Sequence, residues 1–155
     1  MRKAAFKKEE VILVFAGPGN SINQLKKESR SLGIGDRTRF LGYIPDKKIP
    51  EIFCLSDTFV MPALYEAQSL VTYTAISYGL PVLVARSGAL PEIAEAFPSR
   101  VALFSPEKIQ SLTAALEQSI KRSRDPGVKT RYPTRPSKID HLETLINIYQ
   151  KALQH

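Results

Sequence analysis

Short apolar runs alternate along this chain with segments in which apolar residues recur every three or four positions. The continuous runs predict buried parallel strands, whereas the wider spacing predicts helices with one apolar face. The predicted strands cover residues 11–16, 38–41, 58–61, 82–85 and 101–104, the last of them at an edge of the sheet. Because strands alternate with helices, we predict an α/β fold with a doubly wound, mostly parallel Rossmann-like sheet.

The stretch from residue 57 to residue 84 combines a strand, a turn, a helix and the next strand. Its turn carries a single carboxylate, Glu66, soon after the strand. Ser69 is predicted to cap the following helix, over residues 70–78. The buried face of that helix is predicted to consist of Val71, Ala75 and Tyr78. Open α/β sheets bind ligands beyond the carboxyl ends of their strands, where a helix start favours phosphate, so Glu66 and the helix start are predicted to face one crevice.

This stretch resembles the donor-binding core of the retaining, metal-independent nucleotide-sugar glycosyltransferases of GT-B fold, of the group 1 or family 4 type. That family follows a strand with Pro-Ser, two residues and Glu-Gly-Phe-Gly-Leu. A second Glu comes eight positions after the first, and then Ala, a small residue and Gly-x-Pro-Val. The matching positions are Pro62, Glu66, Leu70, Ala75, Gly79, Pro81 and Val82. The positions that depart are Ala67, Gln68, Ser69 and Thr74, the last standing where the second Glu belongs.

The resemblance implies a UDP- or GDP-sugar as the substrate, with no cofactor and no metal. It implies that Glu66 contacts the donor hexose as the catalytic carboxylate, and that the position of Thr74 contacts the ribose. The other donor-binding residues that it implies in this half of the chain are Ala67, Gln68, Ser69, Leu70, Arg86 and Gly88. A threonine cannot accept hydrogen bonds from both ribose hydroxyls as a carboxylate does. The donor site is therefore predicted to be degenerate or to have a changed nucleotide preference.

Two further segments extend the resemblance. Residues 37–45, RTRFLGYIP, are similar to the family's Val-x-Phe-Leu-Gly-x-Val/Ile-Pro segment, whose backbone lines the nucleobase pocket. The residues implied to contact the base are Gly42, Tyr43 and Ile44, and a plain strand and loop is the alternative. Residues 86–92 are similar to the family's Gly-Gly-x-Pro-Glu turn, in which Gly88 matches. Arg86 either pairs with a donor phosphate there or faces solvent at a strand end.

Gly17 and Gly19 follow the first predicted strand in the turn Gly17-Pro18-Gly19. The resemblance implies that these glycines let the backbone approach the donor closely. Classical dinucleotide binding is not predicted, because Ile22 occupies the third glycine position of that fingerprint. Asp46 is predicted to cap the helix that follows the RTRFLGYIP segment.

A net charge of +7 favours anionic partners, which include a nucleotide diphosphate, an anionic membrane surface and nucleic acid. Much of the excess lies in residues 121–138, which contain Pro and Gly and lack an aromatic stacking pattern, so no nucleic-acid partner is predicted. The single Cys54 excludes an internal disulfide and a Cys-based metal site. No apolar run approaches the roughly 20 residues of a membrane span. We predict a cytoplasmic chain, with peripheral contact to the inner face of an anionic membrane as an alternative.

We predict a donor-binding Rossmann-like domain over residues 1–122, a basic linker over residues 123–136 and an amphipathic C-terminal helix over residues 137–155. Enzymes of the family that this chain resembles close two lobes over their substrates, and the resemblance implies that the chain covers most of the donor lobe and none of the acceptor lobe. The resemblance therefore implies an N-terminal acceptor lobe, in cis or as a separate subunit. It also implies that the isolated chain is incomplete and poorly active.

Three interpretations stay open at this point. The chain is the donor lobe of a glycosyltransferase, or a non-catalytic or regulatory GT-B-like binding module with a degenerate donor site, or part of a nucleotide-sugar epimerase of the same architecture. The epimerase would need acid and base residues from another lobe. The only histidines, His141 and His155, lie outside the predicted crevice, so the chain by itself completes no acid/base pair that uses histidine.

Overall fold

The structure, a computed structural model of the 155-residue chain, describes residues 11–123. Its strands are Leu13–Ala16 (β1), Thr38–Gly42 (β2), Phe59–Met61 (β3), Val82–Ala85 (β4) and Val101–Phe104 (β5). Its helices are Ile22–Ser31 (α1), Ile49–Cys54 (α2), Leu70–Ser77 (α3), Leu90–Ala96 (α4) and Ile109–Ser123 (α5). Apart from Ser123, the predicted linker, the predicted C-terminal helix and both histidines lie outside the described residues.

Hydrogen bonds join the described strands into two parallel sheets. β1 pairs with β2, and β4 lies between β3 and β5. The predicted parallel α/β class is confirmed, and β5 is an edge strand as predicted, but the described strands form two hydrogen-bonded sheets where the sequence predicts one. The described residues form two compact units with one sheet each, the first ending at Ile49 and the second beginning at Pro50. The domain bounds drawn at residues 122 and 136 stay a prediction.

The core of the second unit is built around β4. All four residues of this strand are buried, and Val82 and Val84 have no exposed surface. A strand between two parallel neighbours that also packs against helices has to be apolar along its whole length, which explains its continuous apolar sequence. The parallel register places Met61 beside Val84, so β3 and β4 end side by side. The loops that leave these two strands therefore start next to each other.

The buried face of α3 differs from the predicted one. Ala75 and Tyr78 are buried as predicted, but Val71 is 40% exposed. The buried residues of the helix are Thr72, Tyr73, Ala75 and Ile76. The sequence of α3 carries no charged residue, and the polar Thr72 is buried while the apolar Leu70 and Val71 are exposed, so polarity does not mark the outward face.

β1 is not the buried strand that its apolar sequence predicts. Leu13 and Val14 are each 43% exposed, and only Phe15 among the four strand residues is half-buried. In the described part of the first unit the sheet has two strands and one complete helix, α1. Two strands and one helix are too little structure to cover both faces of a sheet. A continuous apolar strand normally belongs to a sheet that is covered on both faces.

Asp46 does not cap α2, which corrects the predicted helix start. A short 3-10 turn, Asp46–Lys48, comes before α2, and Pro45 occupies its N-cap position without a side-chain cap hydrogen bond. Within this turn the Lys48 N–H donates to the Pro45 carbonyl oxygen at 2.8 Å. The extra turn separates Asp46 from the start of α2.

Candidate functional site

Residues 63–69 connect β3 to α3 without regular structure and carry Glu66; we call them the Glu66 loop. The Glu66 side chain is half-buried, and its Oε1 accepts a hydrogen bond from the Gln68 N–H at 3.3 Å. Leu64 and Tyr65, which precede it, are 78% and 83% exposed. Burial of Leu64 and Tyr65 therefore contributes little to the position of the loop before Glu66, where hydrogen bonds to the backbone hold it.

The loop after β4 holds the Glu66 loop at two points. Ser87 Oγ donates to the Ala63 carbonyl oxygen at 2.6 Å, and the Ala89 N–H donates to the Glu66 carbonyl oxygen at 2.9 Å. Between these two bonds Gly88 has a φ of +52°, and a Cβ at this position would overlap the Glu66 carbonyl oxygen. A glycine is required by both the backbone angle and the close approach. Glu66 and Gly88 thus lie side by side where β3 and β4 end.

Sequence reasoning missed Ser87. The available signal was a serine next to a glycine in a predicted turn, since serine hydroxyls in turns commonly bond to nearby backbone groups. The partner could not have been read from the sequence, because Ala63 lies 24 positions earlier in the chain.

Ser69 stands at the N-cap position of α3 but makes no side-chain cap hydrogen bond, so this prediction is wrong. Its hydroxyl is hydrogen-bonded to the Thr72 hydroxyl at 2.8 Å, in a place where Ser69 is 2% and Thr72 0% exposed. Its carbonyl oxygen accepts the Thr72 N–H at 3.0 Å. The physical reason is that the Ser69 hydroxyl is hydrogen-bonded to the buried Thr72 hydroxyl. It therefore points into the core and not at the free N–H groups of the helix start.

Thr74 lies in the middle of α3. Its hydroxyl donates to the Leu70 carbonyl oxygen at 2.9 Å, a bond within the helix that uses the only proton of that hydroxyl. The oxygen keeps its lone pairs, so it can still accept a hydrogen bond. It cannot donate to a ligand without giving up the bond to Leu70.

The other predicted residues of the second unit have exposed side chains. They are Ala67, Gln68, Leu70 and Arg86. The Arg86 N–H donates to the Phe104 carbonyl oxygen at 2.8 Å, which extends the pairing of β4 with β5 by one residue. The backbone of Arg86 is therefore fixed while its side chain remains accessible to an anion.

A cavity of about 170 Å³ lies in the first unit, where β1 and β2 end and α1 begins. Its walls include three of the predicted residues, Gly17, Gly19 and Gly42. The Gly17 N–H donates to the Gly42 carbonyl oxygen at 2.8 Å, and both glycines have a positive φ. The structure therefore brings these predicted residues together around one opening.

The wall of this cavity also contains two aromatic rings that sequence reasoning did not single out. Phe15 and Phe40 stack with their ring centroids 5.0 Å apart, because paired parallel strands place them side by side. Tyr43 and Ile44 are not part of the lining, and Tyr43 is 73% exposed. The cavity thus combines an aromatic wall with three glycines, at each of which the space that a Cβ would occupy is open.

Residues 11–123 contain no group of three or more His, Cys, Asp or Glu side chains able to hold a metal ion. None of the helices in this part of the chain combines the length and apolar character needed to traverse a bilayer. Cys54 is half-buried at the end of α2 and forms no disulfide.

Comparison with known proteins decides which family this fold belongs to. The family described as glycosyl transferases group 1 matches residues 1–131. The chain belongs to the group 1 glycosyl transferases. The resemblance seen in the sequence is therefore confirmed at the level of the family.

Curated relatives of this group 1 glycosyl transferase chain are much longer than the matched part. The chain is 36% identical over 69 residues to mannosylfructose-phosphate synthase of Agrobacterium fabrum. It is 37% identical over 79 residues to O-antigen chain mannosyltransferase B of Escherichia coli. These matches cover 44% and 48% of this chain but only 15% and 21% of the relatives. The chain thus spans a small part of the relatives' length.

A solved structure supports the same fold. Anabaena HepE in complex with UDP-glucose matches this group 1 glycosyl transferase chain with a TM-score of 0.67 at 22% sequence identity. The match covers 94% of this chain and 40% of that chain. At this level of identity the likeness establishes the fold alone.

Proposed function

We propose that this chain is the donor lobe of a glycosyltransferase. It binds a nucleotide-diphosphate sugar, UDP- or GDP-linked, and the glycosyl group passes to an acceptor held by a second, N-terminal lobe in cis or in another subunit. Glu66 is the proposed catalytic carboxylate, which contacts the donor sugar. The transfer is proposed to need no metal and to retain configuration at the sugar.

The observation that carries this proposal is the position of Glu66 beside Gly88, at the carboxyl ends of β3 and β4. Parallel α/β sheets bind their ligands at this edge, where loops leave adjacent strands. A half-buried carboxylate there can accept hydrogen bonds from sugar hydroxyls, and the exposed Arg86, two positions before Gly88, is available to an anion. The two relatives, a mannosylfructose-phosphate synthase and a mannosyltransferase, support glycosyl transfer, and the UDP-glucose bound to HepE supports a nucleotide-sugar as the ligand.

Thr74 is proposed to weaken this site. A carboxylate at this position of the family pattern accepts both ribose hydroxyls, whereas the Thr74 hydroxyl is already bonded to the Leu70 carbonyl. A hydrogen bond to a charged group contributes about 1.5–3 kcal/mol, which corresponds to roughly ten- to hundredfold in affinity. We therefore propose that the chain binds nucleoside diphosphates weakly.

Calorimetric titration of UDP, GDP and UDP-glucose tests both parts of the proposal. Thr74→Glu should raise the affinity for the preferred nucleoside diphosphate by about ten- to hundredfold, because the new carboxylate accepts the ribose hydroxyls. Glu66→Gln should weaken UDP-glucose by a similar factor and leave UDP unchanged, since Glu66 is assigned to the sugar and not to the nucleotide.

Thr113→Glu is the matched control. Thr113 is exposed on α5 and donates to the Ile109 carbonyl oxygen at 3.0 Å, the same four-residue bond that Thr74 makes, so the variant adds the same charge elsewhere. It should leave every affinity unchanged. Equal affinities for wild type and Thr74→Glu would contradict the assignment of the ribose site to this position.

A binding module with a degenerate donor site is the second candidate, and the bond between Thr74 and Leu70 is the observation that favours it. The same titrations separate the candidates. Binding of UDP-glucose by the wild type supports the donor lobe. Binding that appears only after Thr74→Glu supports the degenerate module.

A further inference from the structure

We propose that Ser87 and Gly88 are positioning residues that hold the Glu66 carboxylate in place from the neighbouring loop. The inference deepens the proposed function, because it concerns the residue assigned to the donor sugar. In this role neither residue is assigned a contact with the sugar. They act on the backbone of the Glu66 loop.

The Glu66 loop has few other means of staying in one conformation. It contains no regular structure, and its side chains before Glu66 are largely exposed. Its end is fixed by the buried hydroxyl pair of Ser69 and Thr72. Its beginning and middle are fixed by the loop after β4. The Ser87 hydroxyl bonds to the Ala63 carbonyl oxygen, and the Ala89 N–H bonds to the Glu66 carbonyl oxygen.

Gly88 acts through the absence of a side chain. The Ala89 N–H reaches the Glu66 carbonyl oxygen at 2.9 Å only because no Cβ stands between the two loops at residue 88. The positive φ of Gly88 turns the chain so that this N–H points at the Glu66 loop. An alanine here has to push the Glu66 backbone away, and the carboxylate moves with it.

The positions of the two loops are set by the pairing of β3 with β4. β4 is buried, β3 is half-buried, and the two strands are in register up to Met61 and Val84, so both loops start from paired strands. The hydrogen bond from Gln68 to Glu66 Oε1 then ties the carboxylate to the same loop backbone. A shift of the loop backbone is therefore transmitted to the carboxylate itself.

The test compares Ser87→Ala and Gly88→Ala with wild type in the 155-residue chain, first without ligand by NMR. Ser87→Ala should shift the Gln68 and Ala89 amide resonances and lower the exchange protection of the Ala89 amide about fivefold, the effect of one lost hydrogen bond. Amides of β4 should keep their protection. Should Gly88→Ala fail to fold, Ser87→Ala alone decides the outcome.

Ser56→Ala is the matched control. Ser56 Oγ donates to the Ile52 carbonyl oxygen at 2.7 Å and is partly buried, so the variant loses the same kind of bond at a site that does not touch the Glu66 loop. It should leave the Gln68 and Ala89 amides unchanged. The inference is overturned if Ser87→Ala and Gly88→Ala leave them unchanged as well.

The second readout is the ratio of the UDP-glucose affinity to the UDP affinity, measured by calorimetry. Ser87→Ala should lower this ratio about fivefold without changing the UDP affinity, because the carboxylate contacts only the sugar. A shifted loop with an unchanged ratio would reduce Ser87 to a structural role and overturn the inference. If wild type binds neither ligand, the proposed function fails, whereas the NMR comparison still decides whether Ser87 and Gly88 hold Glu66.

Discussion

Burial changes the acid chemistry of one side chain in the second unit, Tyr78. The residue is 5% exposed, and its ring stacks on Phe53 with the centroids 5.6 Å apart. Burial raises the pKa of the Tyr78 phenol above its ordinary value of 10.0, and the nearby Cys54 thiol raises it further. The folded state therefore holds this proton more tightly than the unfolded chain does. The stability that this provides is complete below about pH 10 and is lost as the pH rises through the folded-state pKa.

Replacing Tyr78 by phenylalanine should make the alkaline loss of stability smaller. The reason is that the variant has no phenol to ionise when the chain unfolds. The urea midpoint should fall less in Tyr78→Phe than in wild type between about pH 9 and about pH 11. Tyr65→Phe is the control. Tyr65 is 83% exposed, so its replacement should leave the urea midpoint at both pH values the same as in wild type. Parallel pH profiles for Tyr78→Phe and wild type would contradict this account.

At the scale of elements, β4 is the most buried of the described strands. It lies between β3 and β5, and it packs against α3 and α4. Its residues have no exposed face, so both alternating sets of side chains belong to the core. α3 differs because it buries one face and leaves Leu70 57% exposed beside the Glu66 loop.

Leu83→Ala should strongly destabilise the chain. Leu83 is 3% exposed in β4, and its truncation leaves a cavity, with an expected loss of about 2–5 kcal/mol in the free energy of unfolding. Leu55→Ala removes the same atoms from a residue that is 86% exposed, and its cost should stay within about 0.5 kcal/mol. Urea denaturation followed by circular dichroism measures both values. Equal midpoints for the two variants would show that β4 is not the core strand of its unit.

At the scale of the whole molecule, the described residues form two units that bury their strands to different extents. β4 in the second unit is buried throughout, whereas Leu13 and Val14 in β1 of the first unit are both 43% exposed. Local stability follows the burial of apolar contacts, so the two units are expected to open with different free energies.

Hydrogen exchange of the 155-residue chain should therefore separate the two sheets. Amides of β1 and β2 should exchange at least about tenfold faster than those of β4, which corresponds to roughly 1.4 kcal/mol less free energy of opening. The β5 amides serve as the internal control, because they belong to the same sheet as β4. Equal protection in both sheets would mean that the units unfold as one.

The sequence was sufficient for the positions of the strands, the parallel α/β class and the family. Strand positions depend on local patterns of apolar residues, and the family depends on motifs such as the one around Glu66, both of which are properties of consecutive residues. The family pattern also assigned Glu66 and Gly88 to one donor site, and in the structure the two residues lie side by side. It was insufficient for burial in β1 and for the outward face of α3, because each depends on what covers the element rather than on the element's own residues.

The tertiary structure alone decided what holds Glu66. Ser87 meets Ala63 across 24 positions of chain, and the two are neighbours only because β3 and β4 pair in parallel and end together. The same is true of Ser69, whose local sequence predicts a helix cap and whose buried hydroxyl instead bonds to Thr72. Local patterns determine which elements form, whereas contacts between loops depend on how those elements pack. The proposed positioning of the Glu66 carboxylate by Ser87 and Gly88 depends on packing.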